Sequence, residues 1–423
     1  MKFFFKSTCI LVALISSAGC FADELMYSDM VYKKNIETVL FYKSGKINTY
    51  PILNLHNPGE SLTLSFDDMD ADYKSYTYSI IHCDANWNPS DLFENEYFEG
   101  QSFDYITNYE FSTNTYVRFT NYFFTFPSQD SWFLMSGNYL LKVYADDDAE
   151  NLVLTRRFYV VDQQVKIVPD IKEATYAKYK KYKQEVDFEV SYDGVDVTNP
   201  MTDLKVVVRQ NQRWDNQLTG LQPMFVRGNT LVYDHEEENL FYGLTEWRYS
   251  DFRQLKYPGF GVLKVELDSI FNMYLLTEED RSYLAYAEWS DINGSRVIAG
   301  ENRELKLSEI DYVSAHFRLN TPYPKDEDVY LFGALTDWRL QDKFKMHYNE
   351  KLDSYMLNVL LKQGYYNYYY AVVNPDDGSI DCVRFQGTHF ETENDYLILV
   401  YLKSRFYNTD ELVGYSVVNT KNR

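Results

Sequence analysis

Residues 184–192 read QEVDFEVSY, and they constrain the fold more tightly than any other stretch of the chain. Val186, Phe188 and Val190 alternate with Glu185, Asp187 and Glu189. That period of two belongs to a strand with one apolar and one polar face. The apolar side is expected to enter a core and the acidic side to be wet. Similar stretches recur. LKVVVRQ at 204–210 follows a turn around NPMTD, and YYNYYYAVV at 365–373 is a further strand. NYLLKVYADDDAENLVLTRRFYVV at 138–161 reads as a hairpin with its loop at 146–151. Only TYAKYKKYKQ at 175–184 and LTEEDRS at 276–282 carry a hint of helix, and both are short. The 40 Tyr and 28 Phe among 423 residues favour strands, because their rings pack well on a pleated surface.

The expected fold class is therefore all-β, with three β-sandwiches of the immunoglobulin or early-set kind in series. Breaks are expected at Asp162, where RRFYVV runs into DQQ, and near residue 307, before DYVSAHFRL. The domains would be 23–162, 163–307 and 308–423, each of ordinary sandwich size.

The chain begins MKFFFKSTCILVALISSAGCFAD. Lys2 and Lys6 precede an apolar run from Ser7 to Ala18 that is too short to cross a bilayer, the pattern of a signal peptide over 1–22. A second reading cleaves before Cys20 and lipidates it. Either way the protein is exported, and no later run is apolar enough to span a membrane as a helix. With Cys9 and Cys20 in the leader, Cys83 and Cys382 remain. They fall in different expected domains and are expected to stay unpaired. The formal net charge of −22 repels nucleic acid and anionic membranes, but is compatible with a polypeptide partner that has a basic face.

Three stretches invite a chemical reading. In SIIHCDANWNPSD at 79–91, His82, Cys83 and Asp84 are neighbours. Adjacent strand residues point to opposite faces, so His82 and Cys83 cannot share a metal while the strand stays regular. No Cys-x-x-Cys or His-x-x-x-His supplies further ligands. The stretch reads as a strand end running into a turn. In DDMDAD at 67–72, Asp68, Asp70 and Asp72 match the opening of a calcium loop, but Tyr73 stands where Gly is needed and Ser79 where the closing Glu belongs. It reads as an acidic turn. No nucleophile elbow or phosphate-binding glycine loop occurs, so neither an enzyme nor a bound cofactor or metal is expected.

The third stretch, DVYLFGALTDWRLQDKFKM…KQGYYNYYYAVV, resembles the early-set sandwich of glycogen-binding modules through Gly333, Trp338, Met346, Gly364 and Tyr366. In sugar-binding members the turn tryptophan stacks on a glucose ring, which makes Trp338 the candidate for an alternative, carbohydrate-binding function. The second tryptophan of that platform is missing from NPDDGSIDCVRFQG.

An ordered set of words spans the chain from about residue 30: YSIIHCDANWNPSDL, TFPSQDSWFLMSGNYLLKVYADDD, NQRWDN, FVRGNTLVYDHEEENLF, WRYSDFRQLKYPG, VYLFGALTDW and GTHFETENDYLILVYL. Together they resemble the type IX secretion system plug protein family. The resemblance implies a non-enzymatic periplasmic protein, a monomer within a complex. It would close the inner mouth of a large outer-membrane β-barrel translocon when no cargo is engaged. It transfers no residue list. The candidate contact residues are the aromatics and arginines of YGLTEWRYSDFRQLKYPG, namely Tyr242, Trp247, Arg248, Tyr249, Phe252, Arg253 and Tyr257.

Overall fold

The computed structural model describes residues 24–128, 130–302, 304–321, 328–374 and 376–422. The expected signal peptide at 1–22, with Cys9 and the alternative anchor at Cys20, lies outside the described residues. The chain is all-β, and its strands make three β-sandwiches. The described α-helices are single turns of four residues. Residues 175–182 form turns, and 276–282 hold a two-residue strand, so neither helical hint becomes a helix.

In the first sandwich, Gly137–Ala145 lies between Leu152–Val161 and Tyr76–Cys83, antiparallel to both. The hairpin over 137–161 thus forms as its alternation predicts. The facing sheet runs Ile36–Lys43, Leu62–Asp68, Thr120–Phe126 and Tyr109–Phe111. Between them lie Leu64, Phe66, Tyr122, Phe126, Tyr139 and Phe158, all buried.

The second sandwich pairs Lys166–Glu173 with Lys183–Ser191, which in turn pairs with Thr230–Tyr233 and Leu240–Tyr242. Val186, Phe188 and Val190 enter its core as expected. The acidic face does not stay wet: Glu185 and Asp187 are buried. Lys172, on the neighbouring strand, places Nζ 3.2 Å from Glu185 and 2.5 Å from Asp187, and the Thr175 amide donates to Glu185 at 2.6 Å. A long basic side chain lying across a strand covers what alternation alone leaves to water.

The opposite sheet of the second sandwich corrects the expected serial order. Leu204–Gln210 pairs antiparallel with Asp395–Lys403, from Leu204 opposite Leu402 to Gln210 opposite Tyr396, and Asp395–Lys403 pairs with Asp410–Asn419. Tyr396, Ile398, Val400 and Val413 share one core with Val186 and Val206. The last two strands of the chain therefore complete the second sandwich.

The third sandwich is built from the excursion between them. Its core joins Phe252, Met273 and Leu275 to Val313, Phe317, Leu331 and Tyr368. Phe271–Leu275 runs parallel to Tyr312–Asn320, with Phe271 opposite Val313. The break expected near 307 therefore falls inside this sandwich. The physical reason is that a strand's alternation is local, whereas its pairing partner is chosen by tertiary packing.

Each sandwich touches the other two. Cys83, Leu140 and Tyr159 of the first pack on Leu397, Leu399 and Tyr401 of the second. Trp247, Phe332, Trp338 and Tyr369 cluster in or beside the third, and Trp214 of the second packs against them. Between the first and third, Asp67 Oδ2 lies 2.6 Å from Lys362 Nζ with both side chains buried. The three sandwiches form a closed ring of contacts.

Candidate functional site

His82, Cys83 and Asp84 separate as the alternation of their strand requires. His82 faces the core of the first sandwich. Its Nδ1 lies 2.9 Å from Ser90 Oγ, and its ring packs against those of Tyr97 and Tyr139, which also meet each other. Burial pushes its pKa down to about 4, so it is neutral at pH 7. Gly137 has no side chain where His82 needs room: a Cβ there would meet Nε2 at 2.5 Å. Cys83 points the other way, into the joint with the second sandwich, where burial raises its thiol to about 12. Asp84 accepts the Asn86 and Asn88 amides at 2.9 Å and closes the turn. The trio is a strand end and a cap with no converging chemistry. Cys83 and Cys382 are buried free thiols in separate clusters.

The acidic turn at 67–72 carries its own cation. Lys74 Nζ lies 2.9 Å from Asp68 and 3.8 Å from Asp72, and it also bonds Asp70. Burial raises the Asp68 carboxyl, but hydrogen bonds from Lys74 and Asn35 outweigh it and hold the group below its usual range. Among the described residues one trio of acidic side chains, Glu185, Asp187 and Asp234, is close enough to share an ion, and Lys172 occupies it.

The expected contact residues divide. Trp247, Arg248 and Phe252 are fully buried, so these three are core residues and not surface anchors. Trp247 stacks on Tyr369 with centroids 3.6 Å apart. Arg248 gives Nε to Gln386 at 2.9 Å, Nη1 to Glu278 at 3.2 Å and Nη2 to the Glu279 carbonyl at 2.8 Å. Tyr242 and Tyr257 are exposed, whereas Tyr249 and Arg253 are half-buried, the first stacked on Phe260 and the second bound to Asp251. Trp338 is also buried, only 7% exposed, with its ring against Trp247 and Phe332. A Cβ on Gly294 would lie 2.5 Å from one tryptophan and 2.7 Å from the other, so that glycine lets the pair close. Trp338 offers no free ring face for a sugar, and the carbohydrate-binding alternative loses its one residue.

Two features had no signal strong enough to find them in the sequence. One is an exposed aromatic band on the first sandwich. Tyr105, Tyr109 and Phe111 lie on outer strands, with Tyr73 5.0 Å and Phe111 5.5 Å from Tyr109. Tyr116 extends it to Phe271 of the third sandwich at 5.2 Å. The stretch NYEFSTNT at 108–115 contains part of the band, but its exposure depends on the strands being sheet edges. The other feature is the set of joints. At the first–third joint Asp67 accepts from Lys362, Tyr312 and Asn121 at 2.6–2.8 Å. Asp311 accepts the Tyr116 and Val117 amides at 2.7 and 3.1 Å. Burial pulls the Lys362 ammonium below its ordinary value, with Asp67 opposing that shift.

Comparison with known proteins supplies the remaining facts. A family model described as the type 9 secretion system plug protein 1st domain matches residues 36–162, the body of the first sandwich. A crystal structure of a hypothetical protein from Parabacteroides merdae ATCC 43184 superposes with a TM-score of 0.89 at 31% sequence identity. The superposition covers 94% of this chain and 100% of that one. No curated protein matches the chain.

Proposed function

The chain belongs to the type 9 secretion system plug protein family, and on that premise we propose that it acts by occupying space. In this reading it is periplasmic, docks on the inner mouth of a large outer-membrane β-barrel translocon, and closes the pore when no cargo is engaged. No bond is made or broken. The observation that carries the reading is the closed ring of three sandwiches, each braced by the other two through buried contacts. A gate must hold its shape against a wide opening, and a stiff, preformed body loses little entropy on docking. The aromatic band around Tyr109 and Phe111 suits such contact, because rigid rings cover area at small rotamer cost. Among the described residues no helix is long and apolar enough to cross a membrane.

The test is affinity purification of the tagged protein from detergent-solubilised outer membrane, followed by mass spectrometry. A β-barrel of unusual size is expected in the eluate, with less recovered from a Tyr109→Glu, Phe111→Glu variant. Recovery of no such barrel sinks the reading.

A further inference from the structure

At the point where all three sandwiches meet, the chain leaves a cleft of about 130 Å3 whose wall is basic. Arg156 and Arg157 reach it from the first sandwich, Arg209 from the second and Arg296 from the third. Two carboxylates answer these four guanidiniums. Asp337 lies 2.9 Å from Arg156 and 3.4 Å from Arg296, and Asp29 lies 3.5 Å from Arg157. Arg209 has no carboxylate partner among the described residues. It is 3% exposed; its Nη1 donates to Tyr159 Oη at 3.3 Å, its guanidinium lies 3.8 Å from the Trp214 ring centroid, and its Nε has no hydrogen-bond acceptor among the described residues. The Arg157 guanidinium lies over the same indole at 3.2 Å.

A buried charge without a counter-ion is costly, and an arginine fork is shaped to grip planar oxygen pairs. The cleft is a local excess of positive charge in a molecule of net charge −22, so surface repulsion alone does not explain its composition. At roughly 30 Å3 per water the volume suits a single head group and excludes a folded segment. We infer that this three-way cleft is a binding site for a small oxyanion, a carboxylate or phosphate group, held by Arg209 with Arg157 beside it. The anion completes the charge balance and ties the sandwiches together. The inference stands whether or not the protein closes a pore.

Thermal unfolding of the purified protein tests it. Inorganic phosphate and acetate are titrated separately against sodium chloride at matched ionic strength. A saturable rise in Tm with phosphate alone assigns a phosphate-type ligand, and with acetate alone a carboxylate; a rise with both assigns a general oxyanion site. Arg209→Gln is expected to weaken the saturating response at least about tenfold, since it removes charge-assisted hydrogen bonds. No saturable rise with either anion, or an undiminished response in a folded Arg209→Gln protein, overturns the inference. Should that variant not fold, bromide-soaked crystals of the unsubstituted protein decide. An anomalous peak beside Arg209 supports the site, and none there refutes it.

Discussion

The first sandwich is held to its two neighbours in opposite ways. Toward the second it presents Cys83, Leu140 and Tyr159 to Leu397, Leu399 and Tyr401, a mainly apolar joint whose neutral hydrogen-bond acceptors, Tyr159 and Asn138, take bonds from Arg209 and Tyr401. Toward the third it presents Asp67 to Lys362 and Tyr312, with Lys362 Nζ also 4.0 Å from the Phe119 ring centroid. An apolar joint gains free energy from area and tolerates small shifts of one surface on the other. A buried ion pair gains little net stability, because desolvation offsets attraction, but it penalises any arrangement that separates its members. The contrast teaches that one joint supplies adhesion and the other fixes register.

The largest expected effect comes from breaking the ionic joint. Asp67→Ala leaves Lys362 buried without its partner and should cost about 4 kcal/mol in urea unfolding. The double variant Asp67→Leu, Lys362→Met should recover most of that loss. If the double variant is as unstable as the single one, the pair supplies adhesion and the contrast is wrong. At the apolar joint, Leu399→Ala should cost about 3 kcal/mol through lost burial and a residual cavity, whatever the pH. A loss below about 1 kcal/mol would show the two surfaces to be loosely apposed.

Beside that joint, His82 should give a pH signature. Its folded pKa of about 4 lies below the ordinary 6.5, so between those values the unfolded chain binds more protons. Stability from this group is full above pH 6.5 and falls by about 3 kcal/mol as pH drops through 4. The difference in unfolding free energy between the unsubstituted protein and His82→Gln should change across that window. An unchanging difference would mean that His82 is hydrated. Asp291 works in the other sense. Burial raises its carboxyl to about 7, so its contribution declines as pH rises from about 4 to 7, and comparison at each pH with the His82 variant cancels it. The smallest effect belongs to the rim of the ionic joint. Lys343 and Glu37 pair at 2.9 Å in partial exposure, and Lys343→Ala should cost no more than about 0.5 kcal/mol.

Some of this was legible in the residues and some was not. The hairpin at 137–161 and the opposed faces of His82 and Cys83 follow from alternation alone. The wetness expected of Glu185 and Asp187 fails because Lys172 belongs to an adjacent strand whose placement alternation does not encode. Trp247, Arg248 and Phe252 look like surface anchors because an aromatic beside an arginine reads the same in a contact patch and in a core. Glu278 and Gln386 receive Arg248, and nothing near residue 248 announces them. The oxyanion cleft was likewise invisible, since Arg157, Arg209 and Arg296 are distant in the chain and meet only where three sandwiches do.

By itself the sequence determined that the chain would be strands, which face of many of them would be apolar, and that His82 and Cys83 would part company. These follow from geometry within a few residues, where successive Cβ atoms must alternate. Only the tertiary structure decided that Leu204–Gln210 pairs with Asp395–Lys403, that the third sandwich is inserted in the chain between strands of the second, and that Asp67 finds Lys362. A strand's edge offers the same backbone donors and acceptors to any partner, so the choice falls to packing across the whole molecule, which no local pattern records.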